Sequence, residues 1–341
     1  MILKKKILSN EFIKRSLANI KEIDKKLFLV DINKEIDKSY NYKFINCKIL
    51  PDGKLYTLNQ EIIKDYLSFN SISKFIFLKK IILSLNYFLR LFIQDVVLRR
   101  KKFLNNGILA HNRNSYGYYH WILDTLPKLI FFKKKNKSFQ LILPKNLDIK
   151  FIKQSLNEFK INYIFLDKNK KYYIKNLTYL GELYPSGSPR PKILSYLRDE
   201  KKRVKNLRIF ISRNLSSRRK IVNEKKVFKI LKKYNFKIVH CEKLSFLNQI
   251  KLFSSANFVI GLHGAGLANI LWMKKNSHIL ELRPEKDLYL NSYFNLSQAL
   301  NVKYDYLICR KNNKFRSSKY ADYIIDEQLL KIKIKEIINN E

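Results

Sequence analysis

From residue 107 onward the apolar positions fall into short stretches of changing period. GILAH (107–111) reads as a strand, and Tyr116 to Lys133 carries apolar residues at helical spacing. FQLILP (139–144) is a continuous apolar run closed by a proline. Residues 148–159 are amphipathic at helical spacing, and INYIFLD (161–167) is strand-like again. This βαβαβ order predicts a parallel sheet covered by helices. The order returns further on: RIFISR (208–213), a helix from Asn223 to Tyr234, FKIVHC (236–241), and a helix from Ser245 to Ser255 with Ser245 as its N-cap. NFVIGL (257–262) then runs into His263-Gly264-Ala265-Gly266, followed by a helix through Met273 and the strand HILEL (278–282). Between the two runs, residues 181–206 hold the chain's one Gly/Pro cluster, with Gly181, Pro185, Gly187, Pro189 and Pro191. The expected fold is therefore α/β, with two Rossmann-like parallel-sheet domains over 1–190 and 191–341 facing across a cleft. Ligands would bind at the carboxyl ends of the strands. Residues 1–105 are the least legible; within them ILPDGKLYTL (49–58) reads as a strand pair about a Pro-Asp-Gly turn.

Composition narrows this picture. At 341 residues, 46% apolar and 13% aromatic, the chain can bury a sizeable core and is no disordered polymer. Its net charge is +41, from 69 basic and 28 acidic residues. The basic residues are 54 Lys and only 15 Arg, and Asn, Ile, Phe and Tyr are inflated alongside Lys. The charge thus has two readings: a solvated surface set by a compositional bias, or attraction to an anionic partner. Scarce arginine argues against direct nucleic-acid readout, so an acidic lipid surface is the expected charged partner rather than nucleic acid. Cys47, Cys241 and Cys309 are far apart and form no CxxC, which predicts neither a disulfide framework nor a zinc site and suits a reducing compartment. The N-terminus lacks the apolar stretch of a signal peptide. Residues 74–103 are rich in Leu, Ile and Phe, but their longest uncharged run, Ile81 to Leu89, falls short of the roughly 18 residues a spanning helix needs. That segment reads either as a buried core helix or as one lying in a membrane interface.

Four segments carry chemistry. In VIGLHGAGLANILWM (259–273) a buried strand ends, Gly264 and Gly266 permit close backbone approach, and a helix begins with unpaired amides. This suits a phosphate or diphosphate; the alternative is a tight strand–helix turn. His263 at the strand end favours a ligand, whereas Asn269 on the helix either caps or faces solvent. In ISRNLSSRRKIVNE (211–224), Arg213 directly follows a strand, and a loop arginine such as Arg219 can grip a diphosphate from a second side, before Asn223 and Glu224 open a helix. In YYHWILDTLPKL (118–129), His120 and Asp124 lie four apart on one helix face, next to Trp121, with Pro127 set to kink or end the helix. The pair is either a general base with its orienting carboxylate or an ordinary amphipathic face. Glu281 ends HILEL and either accepts from ribose hydroxyls or is an exposed strand end. No P-loop, HExxH, GxSxG or DxD is present.

Together these segments resemble glycosyltransferase family 61. The motifs are His120 to Pro127, Ile211 to Glu224, Leu244 to Asn269, and Ile279 to Leu282, in family order over residues 107–284. The resemblance implies a GT-B fold and inverting transfer from a nucleotide-sugar without a DxD-held metal or other cofactor. It implies that Arg213, Arg219, His263, Gly264, Ala265 and Gly266 hold the donor diphosphate and that Glu281 takes the ribose. Asn223, Glu224 and Asn269 count with the donor motifs. His120, Asp124 and Trp121 fall on the acceptor side, with His120 or Asp124 as base. Asp326 to Ile338 looks like the helix that crosses back to the first domain in GT-B enzymes. With no anchor visible, the resemblance points to a bacterial, cytoplasmic enzyme of capsule, O-antigen or lipopolysaccharide biosynthesis, peripheral on the inner membrane and acting on a glycan or lipid-linked glycan. The rival is a non-enzymatic basic module that binds RNA or anionic membrane, with salt-sensitive affinity and no preference for nucleoside diphosphates.

Overall fold

The computed structural model describes residues 2–17, 19–49, 51, 53, 89, 96–97, 100–136, 138–198, 206–285, 290–312 and 320–339. The chain forms two compact units, Met1–Asn10 with Asp37–Leu183 and Glu11–Ile36 with Tyr184–Glu341.

The first unit is built on a six-stranded sheet. Strands β1 (Ile2–Leu8), β4 (Ser39–Ile49), β8 (Lys170–Leu180), β5 (Arg100–Leu109), β6 (Gln140–Leu143) and β7 (Asn162–Phe165) lie in that order. β5, β6 and β7 are parallel, as the βαβαβ pattern predicts; β8, outside that pattern, adds a further parallel strand, and β1 and β4 an antiparallel edge. Phe44, Leu109, Ile142, Tyr172 and Tyr179 form its core. β4 closes at Ile49; the second arm of the expected strand pair, and most of 74–103, lie outside the described residues. Helices Leu126–Lys135 and Lys150–Glu158 connect the parallel strands.

The second unit carries the order β10 (Phe236–Val239), β9 (Leu207–Ile211), β11 (Ala256–Leu262), β12 (His278–Pro284), β13 (Lys303–Lys311) and β14 (Tyr323–Ile324), parallel except for the last pair. β11 is buried at all but one position, which explains its nearly unbroken apolar run, and β12 is buried along its whole length with His278, Glu281 and Arg283 included. Ser245 caps its helix as expected, its hydroxyl accepting from the Asn248 amide at 3.2 Å.

Two expectations are corrected here. The turn after β11 continues as a 3₁₀ helix, Ala265–Trp272, rather than an α-helix. Its three-residue pitch is favoured by Asn269 Nδ2, which bonds the Gly266 carbonyl at 3.0 Å, three residues back. β12 runs on to Pro284, so Glu281 sits within the strand and is fully buried. The C-terminal helix Glu327–Asn339 belongs to the second unit, where Leu330, Ile334 and Ile337 pack into the core with Phe210, Phe258 and Leu280.

Strands β2 (Glu11–Lys14) and β3 (Asn33–Ile36) form an antiparallel ribbon that belongs to the second unit. Between them lie a 3₁₀ helix, Glu22–Leu27, and a short helix, Leu29–Ile32. This arm is anchored by Phe28, wholly buried, with its ring 4.8 Å from Phe294 and near Tyr304 and Tyr306. Burying one such phenylalanine contributes about 1.5–3 kcal/mol.

Candidate active site

The carboxyl ends of β9 and β11 are level, since Gly261 pairs with Ile211 in the parallel register. Arg213 leaves the end of β9 and His263 the end of β11, so two predicted residues meet on one rim. The contact is close. A methyl group added at Gly264 would collide with Arg213 Nη1, so only glycine leaves room for the guanidinium over the start of the 3₁₀ helix. The guanidinium is fixed by its own loop: Nε donates to the Arg219 carbonyl at 3.0 Å, and Nη2 to Ser216 Oγ at 2.9 Å and to the Arg218 carbonyl at 3.1 Å. Nη1 makes no hydrogen bond among the described residues. Burial, with Arg219 nearby, lowers the pKa of Arg213 to about 10. The cation is therefore held at a cost that a bound anion would relieve.

Arg219 has φ 56°, in the left-handed region that side-chain-bearing residues rarely occupy. This conformation accompanies the carbonyl contact to Arg213. Behind the loop, Glu224 Oε1 accepts from Ser212 Oγ at 2.8 Å, bracing the residue before Arg213. Asn223 ties the loop to the C-terminal segment, donating to the Ile325 carbonyl at 2.8 Å and accepting from the Ile325 amide at 3.1 Å. Asn269 is fully buried and donates to Gln249 Oε1 at 2.8 Å. These three residues shape the rim from behind it. Ala265 is exposed at the helix start, and Gly266 is half-buried.

His263 Nδ1 donates to Glu281 Oε1 at 2.5 Å, and the Tyr304 hydroxyl donates to Glu281 Oε2 at 2.5 Å. Arg283 Nη1 in turn donates to Tyr304 Oη at 2.9 Å. Both oxygens of Glu281 are thus occupied inside the protein, and the ribose contact expected of it is replaced by a place behind His263. Burial alone would raise its carboxyl pKa, but the His263 hydrogen bond and charge, with Arg283 and Tyr304, hold it below the usual glutamate range. The network continues inward: Arg283 Nη2 donates to Asn291 Oδ1 at 3.1 Å, and Asn291 and Asn295 both donate to Asp31. Tyr293 hydrogen-bonds the Gly264 carbonyl at 2.6 Å and packs edge-on against His263 at 5.1 Å. Tyr293, Tyr304 and Arg283 were not singled out from sequence. Arg283 had a signal in its position directly after HILEL; the tyrosines had none.

In the first unit, His120 Nδ1 and Asp124 Oδ2 are 2.8 Å apart, and the pair forms as the spacing predicted. Asp124 is buried and His120 about one-third exposed (35%). The pair spans a wide π-helical turn, Trp121–Thr125, and the α-helix restarts at Leu126 with Pro127 in its first turn, where a missing amide is harmless. The proline thus opens a helix rather than ending one. Trp121 is wholly buried, its indole nitrogen donating to Ser155 Oγ at 2.8 Å, so it is a core residue and not an acceptor surface. Buried Lys128, bonded to Glu182 at 2.9 Å, stiffens the same helix and was missed from sequence.

Residues 118–280 match the family described as Glycosyltransferase 61. The chain is also similar to an EGF domain-specific O-linked N-acetylglucosamine transferase of Drosophila melanogaster, 33% identical over 89 residues. That match covers 25% of this chain and 17% of the fly protein. The chain therefore spans about a sixth of that relative's length.

Proposed function

From residue 118 to residue 280 this chain is a glycosyltransferase family 61 sequence, and on that premise we propose that it transfers a hexosyl or pentosyl group from a nucleotide-sugar to a glycan or lipid-linked glycan hydroxyl, inverting the anomeric carbon. The observation that carries the reading is the Arg213 guanidinium, with Nη1 unbonded, lying over Gly264 at the head of a 3₁₀ helix, whose first amides have no acceptor within the helix. Such a rim fits a diphosphate, whose negative charge grows as it leaves. Preorganised donors aimed at developing charge commonly supply the largest catalytic term. His263, oriented by Glu281, adds a ring donor or acceptor to the same rim.

The acceptor oxygen attacks the anomeric carbon. The bond from that carbon to the diphosphate oxygen breaks, and its electron pair leaves with the nucleoside diphosphate. With Nδ1–H directed at Asp124, His120 presents the lone pair of Nε2 to take the acceptor's proton. A GT-B arrangement, with donor on the second unit and acceptor on the first, belongs to this proposal. So do independence from metal, action at the cytoplasmic face, and a role in bacterial surface polysaccharide synthesis.

Thermal melts at high salt with UDP, GDP and CDP test the donor site. One nucleotide at a hundred times its Kd should stabilise the protein by about 2.7 kcal/mol. Stabilisation by none of them overturns the reading in favour of a basic binding module. Mass spectrometry of products from a nucleotide-sugar panel then identifies the sugar.

A further inference from the structure

The arm Glu11–Ile36 buries Ile20, Leu27, Phe28 and Ile36 but leaves an apolar turn outside, and this has no explanation in the donor site. Two of its carboxylates point inward: Asp24 accepts from the Tyr306 hydroxyl at 2.5 Å, and Asp31 from Asn291 at 2.9 Å and Asn295 at 3.0 Å, while Glu22 stays exposed. Three large apolar residues of its central turn nevertheless point outward, with Ile23 77%, Leu29 59% and Val30 68% exposed. Over the 3₁₀ helix Glu22–Leu27 and the turn after it, Ile23, Lys26 and Leu29 recur at three-residue spacing, which puts them along one side, with Val30 adjoining. Lys21 and Lys26 are exposed beside them, and Lys25 pairs with Glu22.

We propose that this turn is a membrane-docking element that inserts Ile23, Leu29 and Val30 into the interface of an anionic lipid surface while the flanking lysines meet its headgroups. Three observations select this occupant. Side chains so exposed protrude rather than line a groove, which disfavours a bound peptide strand or helix. The outward charges, Lys21, Lys25 and Lys26 against Glu22, are net positive because Asp24 and Asp31 are turned inward, which suits an anionic surface. A second copy of the chain would bring another +41 charges against the first, which disfavours self-association. Apolar tips ringed by lysine are the composition of interfacial anchors. The proposal is independent of the sugar-transfer reading, since it is measured through lipid binding alone.

The test is flotation of the full chain with vesicles of phosphatidylglycerol and phosphatidylcholine, and with phosphatidylcholine alone. The chain should float with the anionic vesicles only. The double variant Leu29→Asp/Val30→Asp should retain its melting temperature and lose flotation about tenfold or more. Lys25→Glu/Lys26→Glu should lower flotation by about tenfold, by reversing two charges at the headgroups. Ile23→Trp gives a reading that needs no disruptive change: its emission should shift to the blue on anionic vesicles, against the constant background of buried Trp121 and Trp272. Undiminished flotation of the double variant, or an unchanged Ile23→Trp spectrum, overturns the proposal and assigns lipid contact to another segment such as 74–103. Absence of flotation by the parent chain overturns it outright. A parent dimer that the double variant converts to monomer in sedimentation also overturns it, in favour of self-association.

Discussion

Arg213 is a half-buried cation beside two other arginines, Arg218 and Arg219, and tied to its loop by two carbonyls and a hydroxyl. Its geometry is fixed in advance of any ligand. Arg213→Ala should lower kcat/KM by a factor corresponding to about 2.7–4 kcal/mol, the loss typical of a deleted oxyanion donor. Arg213→Lys should not restore it, because an ammonium cannot reach the loop carbonyls and the rim together. Steady-state kinetics check both, and near-unchanged turnover of the alanine variant removes Arg213 from the mechanism. Glu281 gives a pH signature. Its pKa is lowered in the folded chain, so its contribution to stability is full above the ordinary value of 4.5 and is lost as pH falls through the lowered value. Glu281→Gln leaves buried Arg283 without its carboxylate and should cost about 3 kcal/mol at neutral pH. The gap in melting temperature between parent and variant should narrow in strong acid. A gap that stays constant with pH counts against an ionised Glu281.

At the scale of elements, the site is made by two strand-to-helix turns brought level by register. The β11 turn depends on Gly264 for space, not for an unusual dihedral, because its φ of 173° is ordinary extended backbone. Gly264→Ala should therefore displace the Arg213 guanidinium and weaken binding of the stabilising nucleotide, at an overpacking cost of about 1–3 kcal/mol. Calorimetric titration measures the first effect and melting the second; intact nucleotide affinity would separate Arg213 from the ligand. The turns themselves were legible, because strands ending in glycines or arginine leave a local signature. The 3₁₀ pitch after Gly264 and the π-turn at Trp121–Thr125 were not. Each rests on a specific local departure: the Asn269 bond to Gly266 in one, and the restart of the helix at Leu126 in the other.

At the scale of the whole molecule, the strong positive charge opposes compaction by self-repulsion. The melting temperature should rise with sodium chloride as screening shortens the Debye length from about 30 Å at 0.01 M to about 8 Å at 0.15 M. A salt-independent melt would mean that the lysines are already neutralised by pairing. The pattern of apolar runs determined the parallel strands other than β8 and β13, their connecting helices and the rim residues Arg213 and His263, because burial on both faces and strand-end position act locally. Only the tertiary structure decided that Glu11–Ile36 folds with Tyr184–Glu341, that Glu281 and Trp121 face inward, and that Tyr293 and Tyr304 support His263. These depend on contacts between residues far apart in the chain, as between Asp31 and Asn295, and such contacts leave no periodic trace in the sequence.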